Sequence, residues 1–323
     1  MKLWRTHLGL FLPLLVVAAL VLWPVTTGNV SNRESAFTIL KAIALASSLN
    51  ILLGYTGYVS FGHIVFYGFG GYVGLYFVNE QGWSIWAGLL VGGISSGLLA
   101  FLLGKAILRL RGAYFALATI GINEAMKALI NNLEVFGGPI GMTLNFSVYK
   151  AYGGAAKALG MSFYIMAGLT FVTLIISHLV RTSKFGLGLQ AIRENEDAAE
   201  VMGVAAPDAK TWAYVLSAIL PGMVGVLFFF KNGNVEPQVA FPLHASIELL
   251  VMVMLGGQGT VLGPILGAIA YQGMRGYLVT SNFFKDIQLS VSGVLLLLIV
   301  LFIPTGAIGW LRQRFSVLRR VMA

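Results

Sequence analysis

The sequence predicts an all-α fold: a polytopic integral membrane protein of about ten transmembrane helices, some broken by glycine, with both termini cytoplasmic. Three observations predict it. Of 323 residues, 58% are apolar and 10% charged, against roughly 45–50% and about 25% in soluble domains. Apolar runs of the roughly 17–25 residues needed to cross a bilayer recur along the whole chain. Basic residues gather in short segments between those runs, as the positive-inside rule requires. The runs are continuously apolar rather than alternating, which argues against a transmembrane β-barrel.

Taken in order, the runs cover about 8–25, 36–53, 58–78, 83–103, 113–131, 161–180, 211–230, 245–257, 260–279 and 287–304. The first follows Lys2 and Arg5 like a signal peptide. No small-residue cleavage site follows it closely, so it reads as a retained first membrane helix. Lys105, Arg109 and Arg111 follow the fourth run, and Arg181, Lys184, Arg193 and Lys210 separate the sixth from the seventh. Arg312, Arg314, Arg319 and Arg320 close the chain. About ten spans bring all these groups to one side, the cytoplasm. That placement explains the net charge of +9 better than nucleic-acid binding does. The whole chain, 1–323, reads as a single permease domain. The absence of cysteine excludes disulfides, iron–sulfur clusters and thiolate metal sites. The four histidines have no metal-ligand spacing, so no metal, catalytic or cofactor residues are assigned.

Two junctions are unusual. Leu53–Gly57 and Leu255–Gly259 each carry a Leu-Gly-x-x-Gly tract between apolar pieces, and more glycines follow. Such interruptions free backbone groups that lipid cannot satisfy, so they belong inside the protein or along a wet cavity. Matched breaks point toward a transporter's pathway. Close helix crossing at small residues is the alternative. The pathway candidates are Gly54, Gly57, Ser60, Gly62, His63, Glu124, Glu248, Gly256, Gly257 and Gly259.

Between runs six and seven lies "SKFGLGLQAIRENEDAAEVMGV", Ser183–Val204. It holds Glu194, Glu196, Asp197 and Glu200, four of the twelve acidic residues. Leu187–Met202 are good helix formers, and Gly203 followed by Val204 is a stop signal. Leu189, Ile192, Ala199 and Met202 share one face, while Arg193 and Asp197 are spaced to pair on another. The expectation is one amphipathic helix on the membrane surface with its charges outward.

This stretch, continued by "KTWAYVLSAILPG", resembles the cytoplasmic motif of the LivM-type branched-chain amino acid ABC transporter permeases. "GYTGYVSFGHIVFYGFGGY" (54–72), "LRGAYFALATIGINE" (110–124), "FGGPIGM" (136–142) and "SIELLVMVMLGGQGTVLGPILGA" (246–268) resemble that family's other regions, in order. The match runs from about Leu40 to Pro304. The resemblance implies an importer subunit in the bacterial inner membrane. Its implied partners are a second homologous permease subunit, two cytoplasmic ATPase subunits and a periplasmic substrate-binding protein. The acidic stretch would then be the helix that couples ATPase movement to the membrane helices. Gly186, Ala191, Ile192, Arg193, Glu194, Asn195, Glu196, Ala199 and Gly203 would form it, with Gly186 and Gly203 setting its turns. Pro139 and Ile140 stand where more polar residues are expected, and permeases for urea or small carboxylic acids share much of the pattern.

The chain has no G-x-x-x-x-G-K-[ST] phosphate loop, so ATP would be hydrolysed by other subunits. An ion-coupled transporter or channel using Glu124, Lys127 and His63 is the second reading; a membrane scaffold is the third. Intramembrane charges are costly and often functional. Glu124 and Lys127, three apart, are spaced to neutralise each other. Lys41 and Glu248 sit near the ends of their runs and are expected to snorkel. His63 is expected to be a buried, hydrogen-bonded residue.

Overall fold

The computed structural model describes residues 2–280 and scattered positions between 290 and 309, with side chains for residues 9–276 and at those later positions. The tenth apolar run and the four C-terminal arginines lie largely outside the described residues. Helices α1 (Lys2–Thr27), α2 (Val30–Thr56), α3 (Ile64–Asn79), α4 (Ile85–Ile107) and α5 (Ala113–Asn131) form the first half. The short α6 (Ser147–Lys150) precedes α7 (Ala155–Thr182), α8 (Lys184–Glu194) and α9 (Glu196–Val201). Then come α10 (Ala206–Asn232), the short α11 (Pro237–Ala240), α12 (Leu243–Gly256) and α13 (Gly263–Thr280).

Six helical stretches among the described residues are long and apolar enough to span a membrane: Gly9–Thr27, Val30–Thr56, Ile85–Ile107, Ala155–Thr182, Ala206–Asn232 and Pro237–Gly256. With 16 and 14 residues, α3 and α12 rise only about 24 and 21 Å at 1.5 Å per residue. By itself each stops short of a hydrocarbon core of about 30 Å, α12 reaching spanning length only as part of the stretch Pro237–Gly256, which includes α11. Both adjoin a glycine break, so the expected interruptions are real gaps in helix.

The core has α2 at its centre. It is buried almost continuously from Ala36 to Thr56 and packs on α1, α7, α10, α12 and α13. Beside it, α3, α4 and α10 cross where glycines let backbones meet. A β-carbon on Gly70 would press on Gly222 Cα, Ser96 Oγ and the Gly92 carbonyl. Ser96 Oγ donates to Phe66 O at 2.9 Å, giving the crossing a polar stitch. The opposite face of α4 carries exposed Trp86, Leu90, Ile94, Leu98 and Leu102, a stripe at four-residue spacing suited to lipid.

The all-α expectation needs one small addition. Met142–Thr143 (β1) pairs antiparallel with Asn234–Val235 (β2). Within the "FGGPIGM" segment, Gly141 has a φ of +79°, and a β-carbon there would collide with Val235 O. Glycine is therefore required where this loop meets the strand.

Candidate functional site

The two glycine breaks meet at one end of the bundle. Gly57 ends α2 with a φ of +78° and donates its N–H to Leu53 O at 3.0 Å. The first break then runs to His63. Phe61 N donates to Thr119 Oγ1 on α5 at 3.0 Å, and Ile64 N donates to Ser246 Oγ on α12 at 3.3 Å. Gly62 lies against Thr119 O, where a β-carbon has no room. The second break runs from Gly257 to Leu262. Thr260 Oγ1 donates to Gly257 O and accepts from Gly263 N, each at 2.9 Å, capping the start of α13.

Asn50, fully buried on α2, joins the breaks. Its Nδ2 donates to Thr260 O at 3.0 Å, and its Oδ1 accepts from Gly259 N at 2.9 Å. Both polar ends of one amide thus satisfy backbone that lipid would leave orphaned. Gly54 sits under this contact, and a β-carbon there would overlap Asn50 Oδ1. Ser60, His63, Gly256 and Gly257 are buried in the same region. His63 lies 3.4 Å from Ser48 Oγ and edge-on to Phe66.

The acidic stretch seals this end, but its geometry departs from the expected single helix. Ser183 caps α8 by accepting from Gly186 N at 3.1 Å. Gly186 packs on the Val180 carbonyl, too close for a β-carbon. At Asn195 the backbone turns extended, with φ −160° and ψ 110°. The Asn195 side chain then accepts from Ala198 N at 3.0 Å and starts α9. An asparagine cap restarts the helix where periodicity alone predicted continuity. Gly203, at φ +91°, ends α9 as expected.

The break rotates every later residue. Leu189, Ile192 and Ala199 face inward, buried against Ile51, Tyr55 and Val180. Met202, expected on that face, is instead 85% exposed, and Val201 and Leu187 are exposed beside it. Asp197 does not pair with Arg193. It accepts from Arg111 Nη2 at 2.9 Å, which places the two basic groups at the same end of the molecule.

Two charges expected outward point inward. Arg193 Nη1 donates to Gly54 O at 2.7 Å, one of the carbonyls left unpaired at the end of α2. The same nitrogen lies against Gly259, and the Arg193 Cγ lies against Gly57. One side chain from α8 thus touches both breaks. Glu196 is the other: its side chain is 12% exposed and its Oε1 accepts from Lys210 Nζ at 2.6 Å. Its Oε2 accepts from Tyr58 Oη at 2.8 Å. Lys210, 2% exposed, gives its other protons to Tyr58 Oη at 2.9 Å and Leu108 O at 2.8 Å. All three ammonium donors are matched, which a buried lysine needs. Burial pushes the Glu196 carboxyl up. The hydrogen bonds from Lys210 and Tyr58 and the charges of Lys210 and Arg111 more than offset this, holding it below the usual carboxylate range.

A cavity of about 410 Å³ opens here, lined by Tyr58, Arg111, Gly112, Ile192, Arg193 and Glu196 among others. Sequence reading singled out Arg193 and Glu196 without their partners. It missed Lys210 and Tyr58, fourteen and 138 positions from Glu196, because no spacing rule relates them. Asn50 carried a visible signal, an amide inside an apolar run.

The remaining intramembrane charges fall elsewhere. Glu124 does not pair with Lys127. It lies exposed on α5 and accepts from Asn123 Nδ2 at 3.3 Å. Lys41 and Glu248, both half-buried, line one cavity, and Glu248 accepts from Arg275 Nη1 at 3.0 Å. Among the described residues no group of His, Asp or Glu side chains is arranged to hold a metal ion.

Comparison with known proteins agrees with this architecture. Residues 34–301 match the family described as the branched-chain amino acid transport system / permease component. The chain is 30% identical to the high-affinity branched-chain amino acid transport system permease protein LivM of Salmonella typhimurium, over 95% of this chain and 76% of that protein. The Escherichia coli LivM protein gives the same figures. The E. coli LivH permease protein is 24% identical over 82% of this chain and 90% of its own length. With the family match covering most of its length and the LivM alignments covering 95% of it, the chain belongs to the permease components of branched-chain amino acid transport systems.

Proposed function

We propose that this chain is one of two homologous permease subunits of an ATP-driven importer for branched-chain amino acids, with α8 and α9 as the element an ATPase subunit moves. The observation that carries the coupling role is Arg193, which ties α8 to both glycine breaks. Two functions divide between the faces of this element. Its outward face presents Leu187, Val201 and Met202 as exposed apolar anchors beside Glu194 and Glu200. A few apolar anchors ringed by polar groups is the usual anatomy of a docking surface. Its inward face carries Arg193 and Glu196. A push on α8 reaches the breaks through Arg193 and α10 through Glu196 and Lys210.

LivM and LivH relatives of one chain support a two-permease assembly. Helix α5 has the free face for it: Tyr114, Leu117, Gly121, Glu124, Ala125 and Ala128 are exposed along one side. A carboxylate in that face is costly against lipid. It fits a wet pathway between this subunit and its homologue. The ion-coupled relay loses its support, since His63 is buried on Ser48 while Glu124 lies on the outer face of α5.

Two variants separate the faces. Val201→Asp should abolish ATPase pull-down, and uptake with it. Arg193→Gln should leave pull-down intact while uptake falls about tenfold or more and ATP hydrolysis continues uncoupled. Assembly and uptake at parental levels in both variants would remove α8–α9 from the coupling path.

A further inference from the structure

A second charged cavity lies away from the coupling end. It holds about 220 Å³ between α2, α3, α10, α12 and α13. Lys41, Glu248 and Arg275 line it together with Tyr67, Phe228, Leu249 and Met252. Glu248 and Arg275 are paired at 3.0 Å. Lys41 has no anionic partner among the described residues. Its ammonium lies 3.9 Å from the Phe228 ring centroid and 6.0 Å from that of Tyr67. Ring faces attract a cation but do not neutralise it. Lys41 lies five residues, about 8 Å, inside the apolar run of α2 that begins near residue 36. A charge left unpaired at such depth is expensive and marks a site. Among the described lining residues Lys41 and Arg275 exceed Glu248 by one, so that lining is one negative charge short of balance.

We infer that this cavity is a transient subsite for one amino-acid zwitterion with a small apolar side chain. Lys41 receives the ligand carboxylate, which supplies the missing charge. Glu248, whose second oxygen is not taken by Arg275, receives the ligand ammonium. Phe228, Leu249 and Met252 take the side chain. An apolar pocket with a few convergent polar groups is the usual form of a small-molecule site. The inference rests on the amino-acid reading above and adds a location to it. The Lys231–Glu34 ion pair lies nearby at the same end of α2, where α10 finishes. In the proposed orientation that end faces the side from which substrate arrives.

The test uses the full chain in lipid nanodiscs, with thermal stability as the readout. Leucine should raise the unfolding temperature, and leucinamide, lacking the carboxylate, should not. 4-Methylpentanoate, lacking the ammonium, should act only at much higher concentration. Lys41→Met removes the costly charge and should not harm folding; leucine affinity should drop roughly 30-fold or more, as for truncating one partner of a buried charge pair. A leucine response equal in Lys41→Met and parent, or none in the parent, overturns the site. A leucinamide response equal to that of leucine overturns the Lys41 role, and a 4-methylpentanoate response equal to that of leucine overturns the Glu248 role, and each overturns the zwitterion site with it. Leucine uptake by the assembled importer distinguishes the two readings. Uptake without a leucine response removes the subsite alone, whereas absence of uptake removes the amino-acid reading as well.

Discussion

Glu196 and Lys210 form a tightly constrained polar contact beside the glycine breaks, with Tyr58 and Leu108 O completing the shell. Lys210→Met should cost about 3–5 kcal/mol, because it leaves the Glu196 carboxylate partly buried with only Tyr58 and the exposed Arg111 beside it. The matched variant carrying Glu196→Gln as well should recover part of that loss; chemical or thermal unfolding of the four combinations measures it. The pH dependence has a definite sign. The folded-state carboxyl lies below its ordinary value of 4.5, so its contribution is full above that value and is lost as pH falls through the depressed one. Thermal stability between neutral pH and pH 5 should therefore hold steady from this group, then drop in stronger acid, and Glu196→Gln should flatten that part of the curve. Individual residues were the least legible scale in the sequence. Arg193 stood out by its position, but nothing local to it announces that its partner is Gly54, 139 residues earlier.

At the scale of elements, the sequence was more informative. The apolar runs find helices, and both glycine tracts mark true breaks. Periodicity failed where a short-range hydrogen bond outvoted it. Asn195 sits in a run of good helix formers, yet its side chain starts a new helix instead of continuing the old one. Asn195→Ala should lengthen α8 into α9, swing Val201 and Met202 toward the bundle and expel Glu196 from Lys210. ATPase pull-down should fall, and cysteine labelling at position 202, high in the parent, should drop; unchanged labelling would show that the kink survives without its cap. The breaks answer to a different constraint. Gly57 and Gly259, at φ +78° and +75°, hold backbone that a side chain disfavours. Gly57→Leu adds a contact with the Arg193 Cγ to that strain. Uptake should be abolished while membrane insertion persists, measured by transport assay and by recovery in the membrane fraction.

For the whole molecule, composition alone identified the solvent, and the charge pattern proposes the orientation. Because Arg111 contacts Asp197, the basic segments around 105–111 and 181–210 share one end, as the charge pattern required. The chain has no native cysteine, so single cysteines at 190 and 150 report sidedness cleanly. An impermeant reagent applied from outside should label 150 and spare 190; labelling at 190 would invert the orientation. The cavity charge balance was not legible, because it depends on which helices end up adjacent.

The crossing of α3, α4 and α10 sets how the molecule can deform. At Gly70, Gly92 and Gly222 main chain comes against main chain, with only Ser96 and Val226 side chains wedged beside the contact. Side chains rearrange by hopping between rotamers; bare backbones in contact have no such freedom. These three helices are therefore expected to behave as one stiff body, so that in the proposed coupling a push on α8 would be taken up in the breaks and in α12 and α13. Amide hydrogen exchange should divide the chain accordingly. Deuterium should enter α3, α4 and α10 slowly, whether or not nucleotide is being turned over. It should enter residues 57–62 and 257–262 at a rate that rises with turnover.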